Sequence, residues 1–213
     1  MYGKMGSRSL SDTLTLSNGA LMPQQGFGVY QSPPDLCVRS CLRALEAGYR
    51  HIDTAQYYGN EGEVGQAVTQ FGLPRESVFL TTKVLGAGDA ALDIYQKCLL
   101  SIEKLDPYNH FVDLFLIHSP NCGKAQRKLL WQALERLYHE GRAKSIGVSN
   151  FGIKHIEELK QSAKVWPPHV NQIEVGQFVA GIGPANQGLT WFYSYTLGCS
   201  SEKSSLTVKN IGL

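Results

Sequence analysis

The sequence contains neither a long apolar run nor a run rich in lysine and arginine. A membrane-spanning helix needs about 20 apolar residues, so none is expected, and the polar start lacks the apolar core of a signal peptide. The formal net charge of +2 is close to neutral, and without a basic run no nucleic-acid partner is expected. With 213 residues, 43% of them hydrophobic, the chain can form one sizeable core or two small ones.

Several chemical signatures are also missing. The five cysteines form no CxxC pair, so reduced thiols in a cytoplasmic protein are the simplest interpretation. Cys37 and Cys41 lie four residues apart on a predicted helix, but no nearby histidine or second cysteine pair favours a metal site. No GxSxG motif is present either. Neither a metal nor a serine nucleophile is therefore expected.

Predicted strands and helices alternate along the chain, with roughly one β-α unit every 30 residues, which indicates a parallel sheet covered by helices. Before them, "DTLTLSNGALMP" turns at Asn18-Gly19 and predicts a β-hairpin. The helix predicted for "NEGEVGQAVTQFG" has acidic residues in its first turn, where the helix dipole favours them.

Two architectures fit this alternation, an open doubly wound sheet and a closed (β/α)8 barrel. The open sheet would bind a dinucleotide through a GxGxxG turn after its first strand. In "GFGVYQ", Gln31 takes the third glycine position, and Gly26 and Gly28 lie within the strand. This arrangement argues against the open sheet and favours the barrel.

Successive predicted strands each end in polar residues, although a strand buried on both faces should carry none without a reason. In chain order these residues are Asp53 with Tyr58 just beyond it, Lys83, His118, Ser149 with Asn150, and Asn171 with Gln172. Taken alone, Asp53 could cap a helix or pair with Arg50, and Lys83 could reach the surface. His118 alone could be a hydrogen-bonded core histidine. Because the carboxyl ends of barrel strands meet at one mouth, five such strands in a row favour a shared active site.

The residue types at these strand ends suit proton delivery to an oxygen atom. A tyrosine has an ordinary pKa of about 10, and a neighbouring ammonium group lowers that pKa by favouring the phenolate. A buried lysine tends to lose its proton, so a carboxylate beside it is needed to hold the charge. Tyr58, Lys83 and Asp53 would form such a relay, and His118 could orient a carbonyl group. Carbonyl reduction would also require a hydride donor, which must be a cofactor.

Five motifs, in both wording and order, resemble the aldo-keto reductase family: "GYRHIDTAQYYGNEGEVG", "LTTKV", "VDLFLIHSP", "KSIGVSNF" and "VNQIEV". The resemblance runs from about Leu14 to Val175. It implies a (β/α)8 barrel whose bottom is closed by an N-terminal hairpin. It also implies reduction of a small-molecule aldehyde or ketone, with NADP(H) as the cofactor.

The resemblance assigns roles to individual residues. The family's four catalytic residues fall on Asp53, Tyr58, Lys83 and His118. Tyr58 is implied as the general acid, Lys83 as the group that lowers its pKa, and Asp53 as the group that holds Lys83. His118 is implied to orient the substrate carbonyl. The implied cofactor-binding residues are Val29, Tyr30, Asp53, Ser149, Asn150 and Gln172, the last three at the nicotinamide carboxamide. The implied substrate-binding residues are Tyr30, Tyr58 and His118.

Two departures from the family pattern affect these expectations. Many relatives carry a tryptophan two residues after the lysine, and here that position is Leu85, in the wall of the substrate pocket. After Val175 the family continues with two more strands, their helices and a Lys-Ser…Arg cluster that grips the cofactor's 2′-phosphate. None of these is recognisable in this sequence, where no arginine follows Lys203-Ser204.

The expected organisation is therefore an N-terminal tail (1–13), an incomplete barrel with six of eight strands (14–175) and a divergent C-terminal tail (176–213). "LTWFYSYTLG" in that tail is expected to be exposed and prone to association, with a strand that covers the barrel edge as the alternative. Two functions stay open. One is a carbonyl reductase impaired by the missing cofactor clamp, and the other is a truncated, non-catalytic isoform or a regulatory binding protein on the same scaffold. The oligomeric state is left undefined.

Overall fold

The structure is a computed structural model that describes residues 9–86 and 90–173, together with the backbone of three short strands between residues 193 and 208. Much of the two predicted tails, including residues 1–8, therefore lies outside the described residues. Within the described part of the chain, no helix combines the length and apolar content needed to cross a membrane.

Strands and helices alternate in the described chain, as expected. The strands are β1 (Thr13–Thr15), β2 (Leu21–Pro23), β3 (Phe27–Gly28), β4 (His51–Asp53), β5 (Phe79–Val84), β6 (Val112–Ile117), β7 (Ala143–Ser149), β8 (Asn171–Ile173), β9 (Tyr193–Tyr195), β10 (Leu197–Gly198) and β11 (Thr207–Val208). The helices are α1 (Pro34–Glu46), α2 (Glu61–Phe71), α3 (Ala91–Leu105), α4 (Lys124–His139) and α5 (Ile153–Lys160), with 3-10 turns at Gln56–Tyr58 and Arg75–Ser77.

Strands β3 to β8 form a parallel sheet in which each strand pairs with the next one along the chain. This sequential order belongs to a (β/α)8 barrel, whereas a doubly wound sheet reverses its order near the first strand. The expected incomplete barrel of six parallel strands is confirmed. β1 and β2 form the expected antiparallel hairpin, and Gly19 at its turn has a left-handed φ of 85°.

A strand from the C-terminal segment extends this sheet. β9 pairs with β8 in the antiparallel direction, with Tyr195 opposite Asn171 and Tyr193 opposite Ile173 in the register. An unpaired strand edge presents free backbone N–H and C=O groups, and this pairing satisfies part of the β8 edge. For these three residues of "LTWFYSYTLG", the structure contains the edge-covering strand that the sequence offered as the alternative.

Side chains of the buried strands alternate between two apolar cores. On β6, Phe115 and Ile117 pack in the larger core that the helices cover, whereas Leu114 and Leu116 belong to a smaller core on the other face. The same alternation on β5 turns Lys83 toward the inside of the barrel.

The hairpin closes the amino end of the barrel. Leu16 and Met22 are buried in the smaller core with Phe79, the first residue of β5. The side-chain amide of Asn18 donates to the Lys144 carbonyl (2.9 Å) and to the Ser145 hydroxyl (3.1 Å), at the start of β7. An active site therefore belongs at the opposite end, where the strands finish.

A buried ion-pair network fixes the beginnings of β5 and β6. Arg75 contacts Asp106 (Nε–Oδ2, 3.1 Å) and Asp113 (Nη1–Oδ2, 2.9 Å), and less than a tenth of each side chain is exposed. The guanidinium also donates to the carbonyls of Val78 (2.5 Å) and Phe111 (3.1 Å). Because a buried charge without partners is strongly unfavourable, these bonds hold the two strand starts in place.

His169 joins β7 to the residues just before β8. Its ring Nδ1 accepts a hydrogen bond from the backbone N–H of Ile146 (2.9 Å), and its backbone N–H donates to the Ile146 carbonyl (3.0 Å). Burial lowers the pKa of His169 from 6.5 to about 4. A protonated Nδ1 could no longer accept the bond, so the folded protein requires the neutral ring.

We expect this histidine to make the stability of the protein depend on pH. The unfolded chain takes up the proton near pH 6.5 and the folded chain only near pH 4. The contribution of His169 is therefore complete above pH 6.5 and is lost as the pH falls toward 4. His169→Asn keeps an acceptor oxygen but does not titrate, so its melting temperature should fall less over this range. Thermal melts between pH 4 and 7 measure this, and equal slopes in the two proteins would contradict it.

Candidate active site

Lys83, near the end of β5, joins two of the other predicted catalytic residues. Its ammonium group forms a buried ion pair with Asp53 at the end of β4. It also donates to the phenol oxygen of Tyr58 (3.4 Å) and to the Thr54 carbonyl (3.0 Å). Lys83 is only 1% exposed, so it does not reach the surface. Asp53 does not need Arg50 as a partner, because the Arg50 guanidinium donates to backbone carbonyls instead.

Tyr58 is the last residue of the 3-10 turn that follows β4. The next residue, Gly59, has a left-handed φ of 71°, which a glycine adopts without strain. The Tyr58 ring contacts the rings of Tyr30 and His118, with centroids 4.9 Å and 5.5 Å away. The three predicted substrate-binding residues therefore lie together.

His118 directly follows β6, and its backbone N–H donates to the Val84 carbonyl (2.9 Å). Burial, assisted by the Lys83 ammonium and opposed by the Asp53 carboxylate, lowers the pKa of His118 to about 4. The imidazole is therefore neutral at pH 7. Its Nδ1 is buried and has no hydrogen-bond partner within residues 9–86 and 90–173. His118 therefore lacks, at Nδ1, the hydrogen bond that a core histidine with a purely structural role would make.

Ser149, Asn150 and Gln172 meet at the carboxyl ends of β7 and β8. The Ser149 hydroxyl donates to the Gln172 carbonyl (2.9 Å), and the Asn150 amide donates to the Ser149 oxygen (3.2 Å). The Gln172 amide donates to Oδ2 of Asp53 (2.8 Å). This last bond connects the three residues to the ion pair of Asp53 and Lys83, so the two predicted groups form one site.

Val29 and Tyr30 follow β3 but lie in different surroundings. The Val29 side chain is buried in the larger core, and its backbone N–H donates to the Asp53 carbonyl (3.1 Å). Tyr30 is 42% exposed beside Tyr58. Val29 would therefore contact a bound cofactor through its backbone, whereas Tyr30 would contact it through its aromatic ring.

Sequence patterns did not single out four buried polar residues around the Tyr58 turn, namely Thr54, Asn60, Glu61 and Thr82. From the sequence, the helix dipole alone accounts for the acidic first turn of α2. Instead, Glu61 is buried and accepts a hydrogen bond from the Thr82 hydroxyl (2.6 Å). Burial raises the pKa of Glu61, and the hydrogen bonds from Thr82 and Ser101 oppose that rise. The available signal was the mostly polar segment that continues from Asp53 to Glu61.

The carboxyl ends of this barrel sheet gather a phenol, an ammonium group, a carboxylate and a neutral imidazole. Such a set can transfer a proton to a bound oxygen atom and stabilise the phenolate that remains. The geometry therefore defines a barrel with a candidate acid-base site at its mouth.

Comparisons with known proteins identify the family. The sequence matches the model of the Aldo/keto reductase family over residues 16–179. It is 43% identical over 165 residues to the 9,11-endoperoxide prostaglandin H2 reductase of Trypanosoma cruzi, an alignment that covers 76% of this chain and 56% of that protein. A crystal structure of an aldo/keto reductase from Brucella melitensis has a TM-score of 0.73 at 42% identity, covering 77% of this chain and 63% of that one. The crystal structure of a Bombyx mori aldo-keto reductase in complex with NADP has a TM-score of 0.71 at 31% identity. The alignment covers 79% of this chain and 59% of that one.

The chain belongs to the aldo/keto reductase family. It spans less than two thirds of the length of these relatives, from 56% to 63%. The activity and the substrate of the whole protein therefore do not follow from the match alone.

Proposed function

We propose that this chain carries an NADPH-dependent carbonyl reductase site in which Tyr58 is the general acid. The supporting observation is the contact between Lys83, held by the buried Asp53 carboxylate, and the phenol oxygen of Tyr58 at 3.4 Å. A positive charge at this distance favours the phenolate that remains when Tyr58 gives its proton to a substrate oxygen.

The other two polar groups support this proton path. With a pKa of about 4, His118 is uncharged at pH 7 and would orient the carbonyl through a hydrogen bond rather than supply its proton. Asp53 favours the charged form of Lys83, which burial alone would disfavour. Tyr58 is then the proton donor next to the substrate oxygen.

The ends of β7 and β8 fit the nicotinamide end of the cofactor. A carboxamide has an acceptor oxygen and two donor hydrogens, and Ser149, Asn150 and Gln172 offer a hydroxyl and two amides that both donate and accept. When bound, NADPH would supply the hydride for carbonyl reduction. Because Gln172 also bonds Asp53 (2.8 Å), the residues that would hold the nicotinamide are fixed relative to Tyr58 and Lys83.

The proposed substrate is a small aldehyde or ketone. Tyr30 and Leu85 are 42% and 41% exposed, and both would form apolar parts of the pocket wall. The test is NADPH oxidation by the purified chain, followed by absorbance, with a panel of aldehydes and ketones. Oxidation that depends on the carbonyl compound supports the proposal. No oxidation with any of them at saturating NADPH would contradict it.

We expect this chain to bind NADPH weakly, with a Kd above about 1 μM, or roughly −8 kcal/mol of binding free energy. The reason is that no Lys-Ser…Arg cluster for the 2′-phosphate follows Val175 in the sequence, and Lys203-Ser204 lies outside the described residues. Titration of the purified chain with NADPH, followed by cofactor fluorescence, measures the Kd. A sub-micromolar value would refute the expected weakness.

A second candidate, a non-catalytic binding protein on the same scaffold, is favoured by one observation. β9 pairs with β8 in the antiparallel direction, whereas the next strand of a (β/α)8 barrel would be parallel. The carbonyl assay at saturating NADPH distinguishes the two candidates, since a binding protein would oxidise no NADPH.

A further inference from the structure

Two consecutive buried residues, Asn60 and Glu61, immediately follow the turn that carries Tyr58. Asn60 is 1% exposed and Glu61 is 3% exposed, although both are strongly polar. Neither has an assigned part in the proton path. Their side chains form hydrogen bonds with different segments that border the site.

Asn60 connects the segments that follow β3 and β4. Its side-chain oxygen accepts from the Thr54 hydroxyl (2.7 Å), and its nitrogen donates to the carbonyls of Val29 (2.9 Å) and Ser32 (3.3 Å). Thr54 is also bonded to the site, because its carbonyl accepts from the Lys83 ammonium (3.0 Å). The Asn60 amide thus fixes the segment between β4 and Tyr58 at Thr54, the first residue after β4.

Glu61 connects β5 and α3 to the same turn. Its carboxylate accepts from the Thr82 hydroxyl (2.6 Å) and from the Ser101 hydroxyl (3.1 Å). The Ser101 oxygen in turn accepts from the side-chain amide of Gln56 (2.9 Å), the first residue of the turn. Thr82 directly precedes Lys83 on β5. Glu61 is therefore bonded directly to β5, which carries Lys83, and through Ser101 to the turn that carries Tyr58.

We propose that Asn60 and Glu61 are positioning residues that hold the Tyr58 turn against β5, so that the phenol oxygen stays within hydrogen-bond reach of Lys83. They act through Thr54, Gln56, Ser101 and Thr82 and do not touch the substrate. This inference rests on the proposed role of Tyr58 as the proton donor. Without these bonds, the turn could move relative to Lys83 while the fold remained intact.

The test uses three changes in the full chain. Thr54→Val and Thr82→Val each remove one hydroxyl without changing the side chain's shape, and the serine variant at each position restores that hydroxyl. Gln56→Ala removes the two bonds that this partly exposed side chain donates, to the Ser101 hydroxyl (2.9 Å) and to the Lys97 carbonyl (3.2 Å). Glu135→Gln is the control, since Glu135 is also a buried helical carboxylate that accepts two hydrogen bonds, from the backbone of Lys164 (2.5 Å) and Val165 (2.8 Å).

The first readout is the titration of Tyr58, measured by NMR with tyrosine labelled at Cζ and assigned through Tyr58→Phe. In the valine and alanine variants the midpoint of the Tyr58 titration should rise by about half a pH unit or more, because a Lys83 ammonium farther from the phenol favours the phenolate less. The second readout is the pH profile of kcat and KM. We expect kcat to fall about three- to tenfold, the effect of one lost hydrogen bond, with little change in KM. The serine variants should restore both values, and Glu135→Gln should change neither.

The proposal is overturned if the valine and alanine variants keep the wild-type titration of Tyr58, or if Glu135→Gln shifts it equally. If either valine variant fails to fold, Gln56→Ala decides by the same criterion. A chain without carbonyl-dependent turnover would contradict the proposed function. The NMR titration would still decide the positioning role, because it requires no turnover.

Discussion

Tyr58→Phe is expected to lower the kcat of carbonyl reduction by about 10²–10⁴-fold, the usual contribution of a positioned general acid. The substitution removes only the phenol oxygen. It keeps the ring that packs against Tyr30 and His118 and lies 4.9 Å from the Lys83 ammonium. A loss of activity with unchanged stability would therefore show that the phenol proton of Tyr58 is needed for the reaction. Initial rates of NADPH oxidation at saturating NADPH measure the change.

The matched control is Tyr57→Phe, the same change one residue earlier in the same turn. Tyr57 is 64% exposed and its ring lies 6.1 Å from that of His118, so it has a similar location without the contact to Lys83. Its kcat should stay within about twofold of the wild type, because the substitution keeps the ring beside His118 and removes only the hydroxyl of an exposed side chain. Undiminished turnover in Tyr58→Phe would refute the assignment of Tyr58 as the general acid.

Arg75→Met is expected to lower the free energy of unfolding by about 3–5 kcal/mol, the usual effect of removing one partner from a buried ion pair. The methionine would leave Asp106 and Asp113 buried without the guanidinium that bonds both of them. It would also remove the donors to the Val78 and Phe111 carbonyls. Urea denaturation followed by circular dichroism measures the change.

Arg43→Met is the control for this prediction. Arg43 pairs with Glu46 on the exposed surface of α1, and an ion pair of that kind contributes about 0–1 kcal/mol. Both substitutions remove a guanidinium group, so the difference between their effects on the free energy of unfolding measures the contribution of burial and of the larger number of bonds. Equal effects in the two variants would show that the Arg75 network does not hold the starts of β5 and β6.

Much of the fold could be predicted because each β-α unit is local in the sequence. A short apolar run such as "VDLFLI" followed by an amphipathic stretch that ends at Gly141 predicts β6 and α4 without reference to other units. The C-terminal strand could not be predicted in this way. β9 has three residues, and only its pairing with β8 shows that it covers an edge.

The candidate catalytic residues could be predicted because each lies at or just after the end of a buried strand, where an apolar residue would be ordinary. Their supporting residues could not. Asn60 bonds Val29, 31 residues away, and Glu61 bonds Ser101, 40 residues away. Polar residues in a first helical turn are common on protein surfaces, so nothing local separates a buried Glu61 from an exposed one.

The sequence by itself determined the kinds of groups at the strand ends and the end of the barrel where they lie, because strand periodicity and the alternation of strands with helices are local patterns. Only the tertiary structure decided the contacts between them. The Gln172 amide reaches Asp53 across 119 residues of sequence, and burial beside Lys83 makes His118 neutral at pH 7. Both facts arise because the sheet curls, which brings β8 back toward β4 and removes these side chains from water.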